Sequence, residues 1–477
     1  MDDNQGTKQW PQYLATITAT LSVAIAGCHI GWTSPSLPYL KSDESHISMT
    51  SDDASWIASF FLLGSMLGNL AAAAIVDRFG RKVSLLVSGI PLTIGWILII
   101  IAWNPYVLYI SRFVSGLGQG IVYVVCPMYI GEIADKKIRG ALGSFIKLMV
   151  TFGELYAHAI GPFVNYHNLA YSCVIIPVLF FASFIWTPES PYYLIMKGDQ
   201  EGAIKSLSSL RRYKSKDRLQ NDLDEMTKTV YTDMKNRGHF WDLFRSEGNR
   251  KAMIIIFGLQ VVLQFSGLAA IESYTQEIIA GSESGLNPGV AVIILSLFQF
   301  VAGLGAAALV DKAGRRSLLL STTSLCGIAL SISCIFYLMK LQFKYYMSDV
   351  GWILDASIIS YELICALGLN PLPYMMMGEL FPTNVKGVAV SLSNIWASFL
   401  AFFVAKMYQV VTDTCGIYAS LAWFASSCFF GIGFIYFFVP ETNGKSLAEI
   451  QEELNRGKKK NNIDKVFHEI YVKTIEC

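Results

Sequence analysis

The chain has 477 residues, of which 53% are hydrophobic and only 15% carry a charged side chain. Soluble proteins place a charge on about a quarter of their residues, so this composition excludes an ordinary soluble protein. The formal net charge of +1 gives no indication of binding to nucleic acid.

Long apolar stretches fill most of the chain, and each is long enough to cross about 30 Å of hydrocarbon as a helix. We therefore predict an all-α membrane protein with twelve transmembrane helices, called spans 1 to 12 in chain order. The predicted spans cover residues 12–34, 54–75, 83–103, 106–131, 140–162, 166–187, 252–280, 288–310, 317–340, 350–377, 386–410 and 416–439.

The loops between the spans alternate in charge. One set, which includes both termini, carries most of the Lys and Arg residues, whereas the opposite set is almost free of them between Lys41 and Lys340. Basic residues favour the cytoplasmic side of a membrane. We therefore expect a multi-pass protein of the plasma membrane with both termini in the cytoplasm.

Two charged patterns occur twice. The segment Asp77–Lys82 returns as Asp311–Arg316, and Glu132 with Arg139-Gly140 returns as Glu379 with Lys386-Gly387. Duplicated halves are typical of secondary transporters, whose substrate site lies near the membrane midplane between them. We predict two pseudo-symmetric six-helix halves at 1–187 and 252–440, with a helical cytoplasmic linker at 188–251 and a cytoplasmic tail at 441–477.

The linker and tail are the only sizeable polar segments. Within the linker, Gly202–Arg212 and Leu219–Lys235 have helical spacing, and Ala203 and Leu207 share one apolar face with Leu210. The tail carries a basic run at 456–460, which we interpret as solvated or lipid-facing.

One face of span 5 is polar. Lys147, Thr151, Glu154 and His158 follow each other at steps of four, three and four residues, which places them on one side of a helix. Charged groups within a span are costly and usually face a water-filled cavity. Lys147 and Glu154 lie about 10 Å apart along the axis, and we expect a compensated pair facing the cavity. The alternative is that Glu154 and His158 neutralise each other near a helix end without a substrate role.

Several motifs in a fixed order resemble the sugar porter family of the major facilitator superfamily, over nearly the whole chain. Gly31–Pro35 is similar in particular to insect facilitated trehalose transporters. The motifs are Asp77–Lys82, Asp311–Arg316, Ser111–Phe113, Glu132 with Arg139-Gly140, Pro188–Pro191, Gln264–Gly267, Pro371–Pro373, Glu379–Pro382 and Pro440–Thr442.

The resemblance implies a gate at the cytoplasmic ends of the spans. Carboxylates there need cations at the same depth, and arginine matches a carboxylate with two parallel hydrogen bonds. Such pairs can lock the gate, or they can be static pairs that anchor loops. The expected gating residues are Arg81, Arg112, Glu132, Arg139, Arg315, Arg316, Glu379 and Lys386.

The resemblance also implies a site for an uncharged sugar, which amide groups bind without a fixed charge. The chain departs from the family pattern because Leu263, Ala269 and Lys147 stand where amides are usual. The expected substrate-binding residues are Gln264, Gln299, Tyr374, Asn394, Lys147, Glu154 and His29.

His29 bears on proton coupling. Proton-coupled members of the family have Asp at the matching position and pure facilitators have Asn. The neighbour implied by the resemblance is Arg112, whose charge favours a neutral histidine and no coupling.

We therefore expect a facilitative carrier that moves a neutral sugar, either a hexose or trehalose, by alternating access. No P-loop, metal-ligand spacing or nucleophile–base pattern is visible, so we expect no cofactor, no ATP-driven pumping and no enzyme activity. The expected partners are a small sugar and membrane lipid but no nucleic acid, and the carrier is expected to act as a monomer. The alternatives are a proton-coupled or altered-substrate carrier that uses His29, Lys147 and Glu154, and a non-transporting sugar sensor.

Overall fold

A computed structural model describes most of the chain. The described residues are 9–135, 137–212, 216–235, 241–445 and 449–454. The basic run at 456–460, for which we predicted a solvated or lipid-facing position, lies outside them.

The first half contains six helices that run back and forth across the bundle. Span 5 is the least apolar of them, because its polar face lowers its hydropathy below that of the other five. The spans are Trp10–Leu40, Ser51–Phe79, Arg81–Ile100, Pro105–Ile133, Arg139–Ile160 and Tyr166–Phe184.

The second half repeats this arrangement. The spans are Glu247–Ala280, Pro288–Ala313, Arg315–Leu341, Ser348–Leu380, Thr383–Cys415 and Ile417–Phe438. In the part of the chain that the structure describes, ten helices are long and apolar enough on their own to cross a membrane. The fold class and the number of spans predicted from the sequence are confirmed.

Short helices between the halves lie at one end of the bundle. They cover Pro191–Met196, Gln200–Arg211, Lys216–Lys235 and Asp242–Arg245. The predicted apolar face of the second helix is buried, as its Ala203, Leu207 and Leu210 show. We call this end, where span 2 ends and span 3 begins, the linker end, and the opposite end the far end.

Spans 1, 7 and 10 are broken near their middles. Span 1 changes helix at Trp32, and span 7 breaks at Gly267, whose φ of +89° favours glycine. Span 10 passes through a π-helical turn at Cys365–Leu369 before Pro371. Broken backbone within a membrane is tolerated where it is buried in protein or lines a cavity. These breaks therefore mark the interior of the bundle as the place to look for a site.

Within the first half, glycines bring helices into backbone contact. Gly64 and Gly68 of span 2 face Gly116 and Gly120 of span 4. A Cβ atom at any of these positions would collide with a backbone atom of the opposite span. This is the small-residue packing by which membrane helices approach closely.

We predict that Gly64→Ala destabilises the protein by about 1–3 kcal/mol, because the added methyl group strikes the carbonyl of Phe113 and forces the two spans apart. The matched control is Gly433→Ala in span 12, where an added Cβ meets no atom within 4 Å. Thermal unfolding of the purified protein in detergent measures both changes. Equal unfolding temperatures for the two variants would contradict the backbone contact.

Candidate functional site

The linker end of the first half is organised around the start of span 3. Gly80 has a φ of +93° and lets the chain turn sharply, so that the backbone N–H groups of Arg81 and Lys82 point outward from the helix start. The Glu189 carboxylate accepts a hydrogen bond of 3.0 Å from each of these groups. A helix start leaves such N–H groups without partners, and a carboxylate there also interacts favourably with the helix dipole.

The Arg81 side chain joins span 3 to span 4. Its Nε lies 3.0 Å and its Nη2 2.9 Å from Oε1 of Glu132, and only 4% of the Arg81 side chain is exposed. The other oxygen of Glu132 accepts a hydrogen bond from the Ser190 hydroxyl. Glu132 and Glu189 therefore hold the loop after span 2, the end of span 4 and the start of the linker together.

The second half repeats the network. Gly314 has a φ of +80°, and Glu441 accepts hydrogen bonds from the backbone N–H groups of Arg315 at 2.9 Å and Arg316 at 3.0 Å. Arg315 binds Glu379 with both Nε and Nη2 at 3.2 Å, and the Thr442 hydroxyl donates to Glu379 at 2.5 Å.

Glu441, the carboxylate that caps the start of span 9, lies outside the spans. Burial alone would raise the pKa of Glu441, but hydrogen bonds from the backbone N–H groups of Asn443, Arg315 and Arg316 outweigh burial and hold that pKa below its ordinary value. The contribution of Glu441 to stability is therefore present above the ordinary pKa of glutamate and is lost as the pH falls through the lowered value.

The structure brings together only part of the predicted gate. The Arg81–Glu132 and Arg315–Glu379 pairs form, but each lies within one half. No ion pair joins the two halves at the linker end among the residues that the structure describes.

The other predicted gating residues have different neighbours. Arg316 donates to the Tyr436 carbonyl at 2.5 Å and Lys386 to the Gly378 carbonyl at 2.8 Å. Arg139 is exposed at the start of span 5, and none of its side-chain contacts is an ion pair with a described carboxylate.

A cavity of about 620 Å³ lies between the halves at the middle of the bundle. Broken spans 1, 7 and 10 contribute to its wall, as do spans 2, 4, 5 and 11. Among its polar lining residues are Asn69, Arg112, Gln119, Tyr123, Lys147, Glu154, Gln264, Glu272, Asn370, Tyr374 and Asn394.

The far end of this cavity is closed by contacts between the halves. Lys41, directly after span 1, lies 2.7 Å from Glu277 of span 7, and Lys406 of span 11 lies 2.6 Å from Asp52 of span 2. Deeper in the seam, Nδ1 of His158 lies 2.6 Å from the hydroxyl of Ser296 in span 8. His158 is therefore partnered across the seam.

The linker end of the cavity is open. The cavity wall extends to Gly143, near the linker end of span 5. A Cβ atom added to Gly140, Gly143 or Gly387 would meet no other atom within 4 Å. The structure is thus a conformation in which the halves meet at the far end and stand apart at the linker end.

Most of the predicted substrate-binding residues face the cavity. Gln264, Tyr374 and Asn394 line it from the second half, and Lys147 and Glu154 line it from span 5. The Gln264 side chain is only 6% exposed and its amide makes no hydrogen bond to any described residue, so it is available to a ligand. Gln299 instead borders a small adjoining cavity and donates to Glu362 at 2.8 Å.

His29 was expected to bind substrate, but it is fully buried beside the cavity and does not line it. Its ring stacks on Trp96 at a centroid distance of 4.0 Å, and its Nε2 lies 3.0 Å from the Leu92 carbonyl. These contacts are those of a packed, hydrogen-bonded histidine. A substrate contact by His29 is absent from this conformation.

Arg112 has the predicted position next to His29 but lies away from the linker-end gate. It donates to the His29 carbonyl at 2.6 Å and to the Ile57 carbonyl at 3.2 Å. Its guanidinium also lies 4.2 Å from the ring centre of Phe61, a favourable cation–π contact. Carbonyls and aromatic rings thus hold its charge at the far end of the cavity.

Beside the main cavity is a pocket of about 10 Å³, and four charged side chains border it. Lys147 and Glu154 come from span 5, Glu272 from span 7 and Glu362 from span 10. Lys147 makes no ion pair within 4 Å to any carboxylate among the described residues, so the compensated pair expected with Glu154 is not formed by direct contact in this conformation. Lys147 acts instead as the one cation among three carboxylates.

Glu272 and Glu362 were not predicted from the sequence as site residues. The only other charged residues within these two predicted spans are Glu277 and Asp355, so neither glutamate has an opposite charge on its own helix, as Glu154 has in Lys147. A signal was nevertheless present, because any ionisable residue inside a predicted span indicates a functional site.

We predict that Lys147→Gln lowers the free energy of unfolding by up to about 3–5 kcal/mol, because the three carboxylates of the pocket, of which Glu154 and Glu362 are buried, lose their only cation. The double change Lys147→Gln with Glu154→Gln should recover much of that loss. A double-mutant cycle on unfolding in detergent measures the coupling. Lys340→Gln, which removes the partner of the exposed Glu283, is the control and should change the stability much less. Strictly additive effects of the two changes would contradict the coupling.

Comparisons with known proteins agree with this architecture. A family model described as sugar (and other) transporter matches residues 14–454. The facilitated trehalose transporter Tret1 of Bombyx mori is 30% identical over 452 residues, which are 94% of this chain and 88% of that protein. Tret1 of Aedes aegypti is 28% identical over 93% of this chain and 55% of its own length.

Solved structures share the fold. The inward open conformation of the xylose transporter XylE from E. coli superimposes with a TM-score of 0.76 at 21% identity, over 92% of this chain and 99% of that one. The proton:xylose symporter XylE bound to 6-bromo-6-deoxy-D-glucose gives a TM-score of 0.73 at 21% identity, over 93% and 99% of the two chains. The fold is therefore that of the major facilitator superfamily, and because the family model extends from span 1 past the end of span 12, the chain belongs to the sugar (and other) transporter family.

Proposed function

We propose that the protein is a facilitative carrier that moves a neutral sugar, a hexose or trehalose, across the plasma membrane by alternating access. The observation that carries this proposal is the cavity between the two halves, which is closed at the far end and open at the linker end. A cavity of about 620 Å³ is within the size range of small-molecule sites.

The chemistry of the lining supports a sugar. Gln264, Asn370 and Asn394 offer amides, and Tyr374 offers a flat ring with a hydroxyl group. Amides donate and accept hydrogen bonds, as a polyol requires. The names of the insect relatives supply trehalose as the first sugar to test.

We place the linker end in the cytoplasm. Arg78, Lys82 and Arg139 lie at this end, and basic residues favour the cytoplasmic side. The present conformation would then face inward. On this proposal, residues 1–187 and 252–440 rock against each other, and segments 188–251 and 441–477 are the cytoplasmic linker and tail.

The carrier is proposed to work as a monomer in lipid, without cofactor, ATP or enzymatic chemistry. The sugar gradient alone drives transport. Proton-coupled members of the family have an aspartate where this chain has His29. His29 packs against Trp96 away from the cavity, and this observation favours a facilitator over a proton symporter.

Uptake of labelled trehalose and labelled glucose into proteoliposomes tests this function. We predict saturable uptake of at least one of them, and we predict that Gln264→Ala raises KM about three- to tenfold, because one buried amide contact is lost. The control is Gln220→Ala on an exposed face of the linker, which should leave KM unchanged. Binding of a sugar without uptake would instead support the non-transporting sensor.

The gate gives a second prediction. When the linker ends close, Arg139 is expected to approach Glu379, and the carboxylate of Glu132 to approach the second half. Arg139→Gln should therefore slow uptake severalfold without lowering thermal stability in the conformation described here, where Arg139 binds none of the described carboxylates. Glu379→Gln should also favour the inward-facing state, but it additionally breaks the Arg315 pair.

The control for the gate is Arg250→Gln, an exposed arginine at the linker end of span 7. It should leave both uptake and stability unchanged. Uptake by Arg139→Gln at the wild-type rate would remove Arg139 from the gate.

A further inference from the structure

The small pocket of about 10 Å³ is built from both halves. Glu154 and Lys147 belong to span 5 of the first half, whereas Glu272 and Glu362 belong to spans 7 and 10 of the second half. Its volume is that of about one water molecule. A movement of one half against the other must therefore change the distances among these charges.

The pocket has an excess of negative charge. Glu362 is 2% exposed and accepts hydrogen bonds from Gln299 at 2.8 Å and Thr275 at 3.4 Å. The Glu272 carboxylate interacts electrostatically with Glu154, Glu362 and Lys147. Lys147 balances only one of the three carboxylates when all are ionised.

Glu154 is an independent indication of a ligand. Its side chain is only 8% exposed, it borders both the pocket and the main cavity, and it has no hydrogen bond or ion pair to any described residue. A buried carboxylate without a partner is strongly unfavourable unless it is neutralised.

The remaining ionisable groups around the pocket do not supply the missing positive charge. Tyr123 of span 4 and Tyr374 of span 10 are neutral phenols on the cavity wall. His158, four residues beyond Glu154 on span 5, is engaged with Ser296, and Arg112 of span 4 is held by the His29 and Ile57 carbonyls.

We propose that Glu154, Glu272 and Glu362 form a proton-binding site between the halves, and that the bound proton stabilises the conformation closed at the far end. A hydronium ion in the main cavity transfers its proton to a carboxylate oxygen and leaves as water. A proton becomes part of the carboxyl group and needs no further room, which suits a pocket of this size. The inference rests on the alternating movement proposed above, but not on the identity of the sugar.

Repulsion between the carboxylates determines which conformation the proton favours. In the described conformation Glu154 faces Glu272 and Glu362 across the seam, and ionised carboxylates on opposite sides repel each other. Opening the far end would separate span 5 from the second half and admit water. A proton removes part of the repulsion, so acidity should favour the conformation that is open at the linker end.

The experiment measures this equilibrium without sugar. Spin labels on Ser144→Cys in span 5 and Asn384→Cys in span 11, two exposed linker-end positions, report the distance between the halves in nanodiscs. The background carries Cys415→Ser and Cys477→Ser, so that exposed and terminal thiols are not labelled. Between about pH 8 and about pH 5, the ratio of long to short distances should rise about tenfold or more.

The double variant Glu272→Gln with Glu362→Gln imitates the neutral state and should show the long distance at both pH values. The matched control is Glu283→Gln, a glutamate exposed at the far end and paired with Lys340, which should keep the full response. A distance ratio independent of pH in the wild type, or an unchanged response in the double variant, would overturn the proposal.

Infrared spectroscopy of the wild type provides a second test if the double variant folds poorly. At acidic pH the wild type should show the absorption band of a protonated buried carboxyl group, and this band should be weaker in the single variant Glu272→Gln. Absence of the band in the wild type at acidic pH would contradict a bound proton. If neither sugar is transported but the distances respond as predicted, the proposed substrate fails and the proton site stands. If a sugar is transported but the distances do not change with pH, only the proposed proton site is contradicted.

Discussion

Arg81 and Arg315 each bind a glutamate at the linker end of their own half, and the shape of both halves depends on these two ion pairs. Each arginine begins a span directly after a glycine with positive φ. A second glutamate caps the same helix start from a distant point in the chain, Glu189 in one half and Glu441 in the other. The same contacts thus fasten the loop between two spans, the end of a third span and the segment after the sixth. Each half can then keep its shape while the space between the halves changes.

In the interior of the bundle, the cations Arg112 and Lys147 are stabilised in two different ways. There, Arg112 is surrounded by carbonyls and aromatic rings, whereas Lys147 has only a set of carboxylates that it does not touch. In the first arrangement the charge has hydrogen-bond and cation–π partners within the protein. The second leaves charge unbalanced at the seam, and unbalanced charge at a moving seam makes the conformation sensitive to whatever enters the cavity. Static and responsive sites therefore lie within the same cavity wall.

The twelve spans could be predicted from the sequence because apolar length and loop charge are properties of single segments. The polar face of span 5 could be predicted for the same reason, since Lys147 and Glu154 lie on one helix. The contacts of Glu272 and Glu362 could not, because they depend on how three different spans meet. The placement of His29 against Trp96 likewise depends on packing between spans 1 and 3, which no periodicity records. Arg139 shows a further limit: the motif identifies a cation near a carboxylate, but whether they touch depends on the conformation.

The close glycine contacts divide the molecule mechanically. Where an added Cβ would strike the backbone of another span, as at Gly27, Gly64 and Gly153, that span belongs to the same half. Contacts between the halves are made largely by side chains, which can change rotamer and slide, whereas backbone pressed on backbone has nothing to rearrange. The protein is in this sense two stiff bodies separated by a compliant layer. Hydrostatic pressure, lateral tension and bilayer thickness would all act first on that layer, and would change the carrier's resting conformation before they disturbed the fold of either half.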